Sequence, residues 1–161
     1  MNPLIRLAII QSVLQRNEAS PYLRPVRDGN GVIISTYCNV AVWNVGKAIC
    51  SYLGFDDAKG APLMADQIDT YCNATPTEWE PVPLETCQAL ADAGEWILLT
   101  HPYSGHGHVA TVQPGQAPVF SGKWNMEVPT IANVGQTNGI MGANFAFPVT
   151  DTPPSAWRFL K

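Results

Sequence analysis

The feature that most constrains this chain is a change of character near Gly94. Before it, apolar residues recur at helical spacing. After it come short apolar runs, separated by Gly, Asn and Pro, that read as strands. Residues 3–15 place Leu4, Ile5, Leu7, Ala8, Ile9, Val13 and Leu14 on one broad helical face. Residues 17–34 read as an extended loop with a turn at Asp28-Gly29-Asn30-Gly31. A second helix is predicted from Tyr37 to Leu53, with Ser35 and Thr36 as N-cap hydroxyls and Gly54 as its stop. A third follows Pro62 over Leu63–Tyr71, and a fourth runs from Leu84 to Ala93. Strands are predicted at Trp96–Thr100, His108–Gln113, Pro129–Val134 and Ala143–Phe147. Helices segregated from consecutive strands imply an α+β fold, N-terminal helices packed on a C-terminal antiparallel sheet. Thr150–Lys161 is either a docked strand or a loose end.

A chain of 161 residues is one domain by size, with a helix and loop at 1–30, a core at 31–148 and a tail at 149–161. Its 46% hydrophobic content and net charge of −4 argue against disorder. The nine Lys and Arg residues are scattered, which argues against nucleic acid as a partner. The longest apolar runs, Leu7–Ile10 and Trp96–Leu99, are far short of the ~20 residues of a membrane span. Arg6 interrupts the N-terminal apolar stretch and no Ala-x-Ala-like site follows. That stretch therefore reads as a helix rather than a signal peptide, and the chain is expected to be made in the cytoplasm without classical targeting. Cysteines at 38, 50, 72 and 87 contain no C-x-x-C pair, and free thiols are the expectation.

Cys38 stands at the start of the second helix, where unpaired N–H groups and the helix dipole favour a thiolate. Cys38, Val42, Val45 and Ile49 share one apolar helix face, so the thiol points toward whatever that helix packs on. Cys50 lies about 120° round the helix and belongs to no common site with it. A lone buried cysteine is ordinarily just a small hydrophobe. His108 adds a second observation. It opens the short strand in Gly105-His106-Gly107-His108-Val109-Ala110-Thr111-Val112, sharing a face with Ala110 and Val112. If that face meets the second helix, a base and a helix-terminal thiol converge, as nucleophilic catalysis requires. The alternative for His108 is a satisfied, partly buried histidine. A polar residue should orient the imidazole, and Asn133, in an otherwise apolar strand, is the first candidate. Asn144 is its rival, whereas Gln136 and Asn138 look like turn residues. His101, His106 and His108 also allow a zinc reading, but no fourth ligand is near in sequence, so no metal and no cofactor is expected.

The order of cysteine on a helix, histidine on a strand and polar residue on a later strand resembles the papain-like cell-wall hydrolases of the NlpC/P60 and CHAP superfamily. The matching residues are Thr36-Tyr37-Cys38-Asn39, Gly107-His108-Val109-Ala110-Thr111-Val112 and Ala132-Asn133, with Glu85–Thr100 similar to the helix and strand that precede the histidine strand. The similarity runs over roughly residues 30–148. It implies a papain-like fold and a Cys38, His108, Asn133 triad that cleaves amide bonds of peptidoglycan stem peptides. It further implies an oxyanion hole from the Cys38 N–H with a neighbour such as Tyr37, and substrate contacts at Asn39. The stretch Val112–Ile131 is longer than the family's simple hairpin, and its Phe120 and Trp124 would either wall a substrate groove or pack on the sheet. The carriers that suit such a domain are a phage lysis or tail enzyme and an injected antibacterial effector, acting at the cell wall with an immunity or delivery partner. The other readings are a non-catalytic virion component on the same fold, and a cysteine protease, deamidase or acyltransferase with a different substrate.

Overall fold

A computed structural model describes residues 2–50, 54–103, 106–147 and 152–161, with the backbone alone at Cys50 and His106. The fold is α+β, with helices laid on an antiparallel sheet. Helix α1 (Pro3–Ala19) begins where Asn2 accepts the N–H of Leu4 and Pro3 occupies the first turn. It runs four residues past the expected Gln15 because Asn17 is buried and bonded rather than exposed. The expected loop after it holds a small ladder of β1 (Val26–Arg27) and β2 (Ile33–Ser35), closed by the predicted Asp28 turn. Helix α2 (Cys38–Cys50) and helix α3 (Ala65–Ala74) follow. The end predicted for α2 at Leu53 lies outside the described residues.

The main sheet has six strands, all neighbours antiparallel. They are β3 (Trp79–Pro81), β4 (Ile97–Tyr103), β5 (His106–Val112), β8 (Thr130–Asn133), β9 (Gly139–Gly142) and β10 (Ser155–Phe159). Their spatial order is β3, β10, β4, β5, β8, β9. The segment set apart as a tail is therefore integral. Its strand β10 sits between β3 and β4, and the Trp157 indole N–H donates to Thr100 at 2.9 Å. Helix α4 (Cys87–Asp92) precedes β4, and strands β6 (Val119–Ser121) and β7 (Met126–Val128) form a separate hairpin between β5 and β8.

One expected strand is a helix. Ala143–Phe147 holds α5 (Ala143–Ala146), and the edge strand β9 comes just before it. An apolar run of five residues carries no decisive periodicity, and here the preceding Gly139–Gly142 segment takes the ladder to β8 instead.

Both sheet faces are covered. On one, α1, α2 and α3 bury Ile10, Leu14, Val42, Val45 and Ile68 against Leu98 and Val109. Phe55, Trp79, Trp96 and Phe159 close this layer, with ring centroids 5.0 to 5.9 Å apart. On the other, α4, α5 and the β6–β7 hairpin cover Ile97, Leu99, Ala110, Val112 and Ile131. Fully burying each of these aliphatic side chains contributes roughly 1.5–3 kcal/mol, so the double cover stabilises the sheet centre from both sides. No helix among the described residues is long and apolar enough to cross a membrane.

Candidate active site

Cys38 lies at the first position of α2, 5% exposed, on the face that also buries Val42, Val45 and Ile49, as the spacing predicts. The carbonyl of Tyr37 accepts the N–H of Ala41, which makes Tyr37 the residue that opens the helix. The N–H groups of Val109, Asn39 and Cys38 and the hydroxyl of Thr36 interact with the Cys38 thiol and favour its charged form. Burial outweighs them and holds the Cys38 thiol above its ordinary pKa. The expectation of a depressed pKa at a helix start is thus corrected: the donors are in place, but desolvation dominates. Cys72 and Cys87 are also free and buried. Desolvation raises both thiols, that of Cys87 to about 12.

His108 sits near the start of β5, directly opposite His101 on β4. The strand face that meets α2 is not that of His108, as expected, but that of Val109, which packs with Cys38 and Val42. Ala110 and Val112 face the second layer. The thiol packs on the Val109 face of β5, and the imidazole sits against Phe147, which belongs to the second layer. Strand β8 pairs with β5 only at Thr111 and Val112, and the N–H of Val109 interacts with the Cys38 thiol. Gly107 has a role here too. A Cβ on it would lie 2.8 Å from the Asp66 nitrogen, so only glycine lets the start of α3 rest on this end of the strand.

Of the two candidate asparagines, Asn133 is the one that contacts the imidazole. Its Oδ1 lies 2.7 Å from His108 Nε2. Its own amide nitrogen donates to the carbonyl of Thr137 at 2.5 Å. That second bond fixes which amide atom faces the imidazole. An oxygen facing Nε2 requires Nε2 to carry the proton, so Nδ1 is the bare, basic nitrogen. The ring of Phe147 stands 4.8 Å from the imidazole, and Gly135 lies close to its Cε1 carbon. Burial pushes the pKa of His108 down to about 4, against the opposing pull of Asn133. Burial thus favours the neutral form of both the Cys38 thiol and the His108 imidazole.

Asn144 does not take this role. It lies on α5, and among the described residues its Oδ1 is buried without a hydrogen-bond partner. The Asn39 side chain donates to Leu63 at 2.9 Å and anchors the segment before α3, so only its backbone N–H serves the sulfur. The Tyr37 ring packs against the cluster of Leu23, Ala41 and Val134. Trp124 packs into the second layer beneath the sheet, while Phe120 is exposed. Of the three histidines, His101 stacks on Tyr103 and hydrogen-bonds the carbonyl of Pro102, and the His106 side chain lies outside the described residues. Among the described residues, no group of His, Cys, Asp or Glu side chains is arranged to hold a metal ion.

Sequence reasoning missed Thr36 as a donor to sulfur, Phe147 as the cover of the imidazole, and Tyr103. The hydroxyl of Tyr103 has its pKa raised by burial and, in addition, by the nearby Cys38 charge, which places it within electrostatic reach of the thiol. No protein-family model matches the chain, and no curated protein matches it.

Proposed function

We propose that this protein is a papain-like cysteine peptidase or amidase that cleaves amide bonds of bacterial peptidoglycan through Cys38, His108 and Asn133. The observation that carries the reading is the 2.7 Å contact of Asn133 Oδ1 with His108 Nε2, on a strand whose next residue, Val109, shares a core layer with Cys38 at the start of a helix. The chain order of cysteine helix, histidine strand and asparagine strand supports it. In this mechanism His108 Nδ1 takes the thiol proton as sulfur attacks the substrate carbonyl. The imidazolium, steadied by Asn133, then gives that proton to the departing amine, leaving a thioester on Cys38. Water attacks the thioester with Nδ1 again as base, releasing the acid and the free thiol. The N–H groups of Cys38 and Asn39 are the donors available to a developing oxyanion. The wall would be reached by a phage-borne lysis enzyme or by an effector delivered with its partner.

The deep burial of Cys38 favours a second reading, a structural or binding protein that keeps the fold without the chemistry. Digestion of purified peptidoglycan by the wild type and by Cys38→Ala, with fragments identified by mass spectrometry, separates the two. Release by the wild type alone supports the hydrolase, and the fragment masses name the bond. No release by a folded wild type overturns it. Equal release by both overturns the assignment of Cys38.

A further inference from the structure

The loop between β8 and β9 carries a set of polar contacts outside the sheet pairing. Asn138 is its hub. Its Oδ1 accepts the N–H of Gly135 at 3.1 Å, and its amide nitrogen donates to the carbonyl of Leu23 at 2.9 Å. Leu23 belongs to the short turn after α1, so Asn138 ties this loop to the N-terminal layer across 115 residues of sequence. Two residues of the loop it anchors touch the candidate triad. Gly135 lies against the imidazole, where an added Cβ would stand 3.2 Å from His108 Cε1. Thr137, its immediate neighbour, supplies the carbonyl that accepts the Asn133 amide.

We propose that Asn138 is a positioning residue for His108: by pinning the 134–138 loop, it sets the amide orientation of Asn133 and so the tautomer of the imidazole. An asparagine amide can present either its oxygen or its nitrogen to a neighbour. With the oxygen inward, it accepts from Nε2–H and leaves Nδ1 basic. With the nitrogen inward, it donates to a bare Nε2 and moves the proton to Nδ1, which removes the base. The carbonyl of Thr137, 2.5 Å from the Asn133 amide nitrogen, selects the first of these while the loop holds it there. The role rests on the hydrolase reading for its purpose, but the tautomer itself does not.

The test is the ring-nitrogen spectrum of His108 in ¹⁵N-labelled wild type and Asn138→Ala at pH 7. The wild type is expected to show a single Nε2–H tautomer. Asn138→Ala is expected to show a mixture, with wall digestion falling about tenfold because part of the population holds the wrong tautomer. An unchanged tautomer in a folded Asn138→Ala overturns the proposal. A wild type that carries its proton on Nδ1 overturns it without any variant, which keeps the idea testable if Asn138→Ala does not fold. A wild type inert toward peptidoglycan would sink the hydrolase reading while the spectra still decide the role of Asn138.

Discussion

Gly107 and Asp66 are in backbone contact range: a methyl group on Gly107 would stand 2.8 Å from the Asp66 nitrogen. The start of α3 thus lies on the residue immediately before His108. Relief has to come from main chain on both sides, because the nearest atoms are the backbone of Ala65 and Asp66 rather than a flexible side chain. Gly107→Ala is expected to lose about 1–3 kcal/mol of stability as α3 lifts from β5. Urea unfolding reads this as a lower midpoint at unchanged slope. A midpoint equal to wild type would show that α3 has room to move.

Under the proposed hydrolase function, Asn133→Ala tests the triad from its third member. The hydrogen bond from Asn133 is what raises the His108 pKa against burial, so its loss should push that pKa lower still. It also leaves a partly buried Nε2–H without its acceptor, at a stability cost of about 1–3 kcal/mol. Wall digestion should fall by roughly 10–1,000-fold while Cys38→Ala abolishes it. Digestion unchanged in Asn133→Ala would remove Asn133 from the mechanism.

Legibility in the sequence differs by residue. The apolar face of α2 can be read from Cys38, Val42, Val45 and Ile49 because helical periodicity depends on local spacing alone. Asn133 stands out because an amide in an apolar strand needs a partner. The face of β5 that meets α2 is not legible, since alternation gives two faces without saying which layer covers each, and here both are covered. The raised thiol pKa escapes the sequence for a similar reason. The donors at the helix start follow from sequence, but the burial that outweighs them follows from packing. Asn138 looks like a turn residue, and it is one; its bond to Leu23 joins segments 115 positions apart that no local pattern connects.

Stability should depend on pH through His108. Its folded pKa of about 4 lies below the ordinary 6.5, so between these values the unfolded chain binds more protons than the folded one. Stability therefore rises with pH across that window and is lost as pH falls from about 6.5 toward 4. The size is roughly 2–3 kcal/mol, from about 1.4 kcal/mol for each pH unit that separates the folded from the unfolded value, allowing for the imidazole's partial exposure. Unfolding measured at pH 7 and pH 4.5 should show the loss in wild type and a smaller one in His108→Gln. Equal losses in both would assign the effect to other groups.

The resting state of the thiol gives the last test. A cysteine held as an ion pair with imidazolium alkylates at a rate that is flat across neutral pH. A neutral pair behaves otherwise, because thiolate appears only as pH rises toward the thiol's own pKa. Burial raises that pKa in Cys38, and the low pKa of His108 leaves no imidazolium to stabilise the anion. Iodoacetamide labelling of Cys38, followed by peptide mass spectrometry, should therefore accelerate continuously from about pH 6 to about pH 9. A plateau reached near pH 5 would mean that solvent and the four donors around the sulfur outweigh its burial, and that the nucleophile is a thiolate before substrate arrives. Under the proposed mechanism, the continuous rise would mean that the thiol gives up its proton only as it attacks the carbonyl, with His108 Nδ1 as the acceptor.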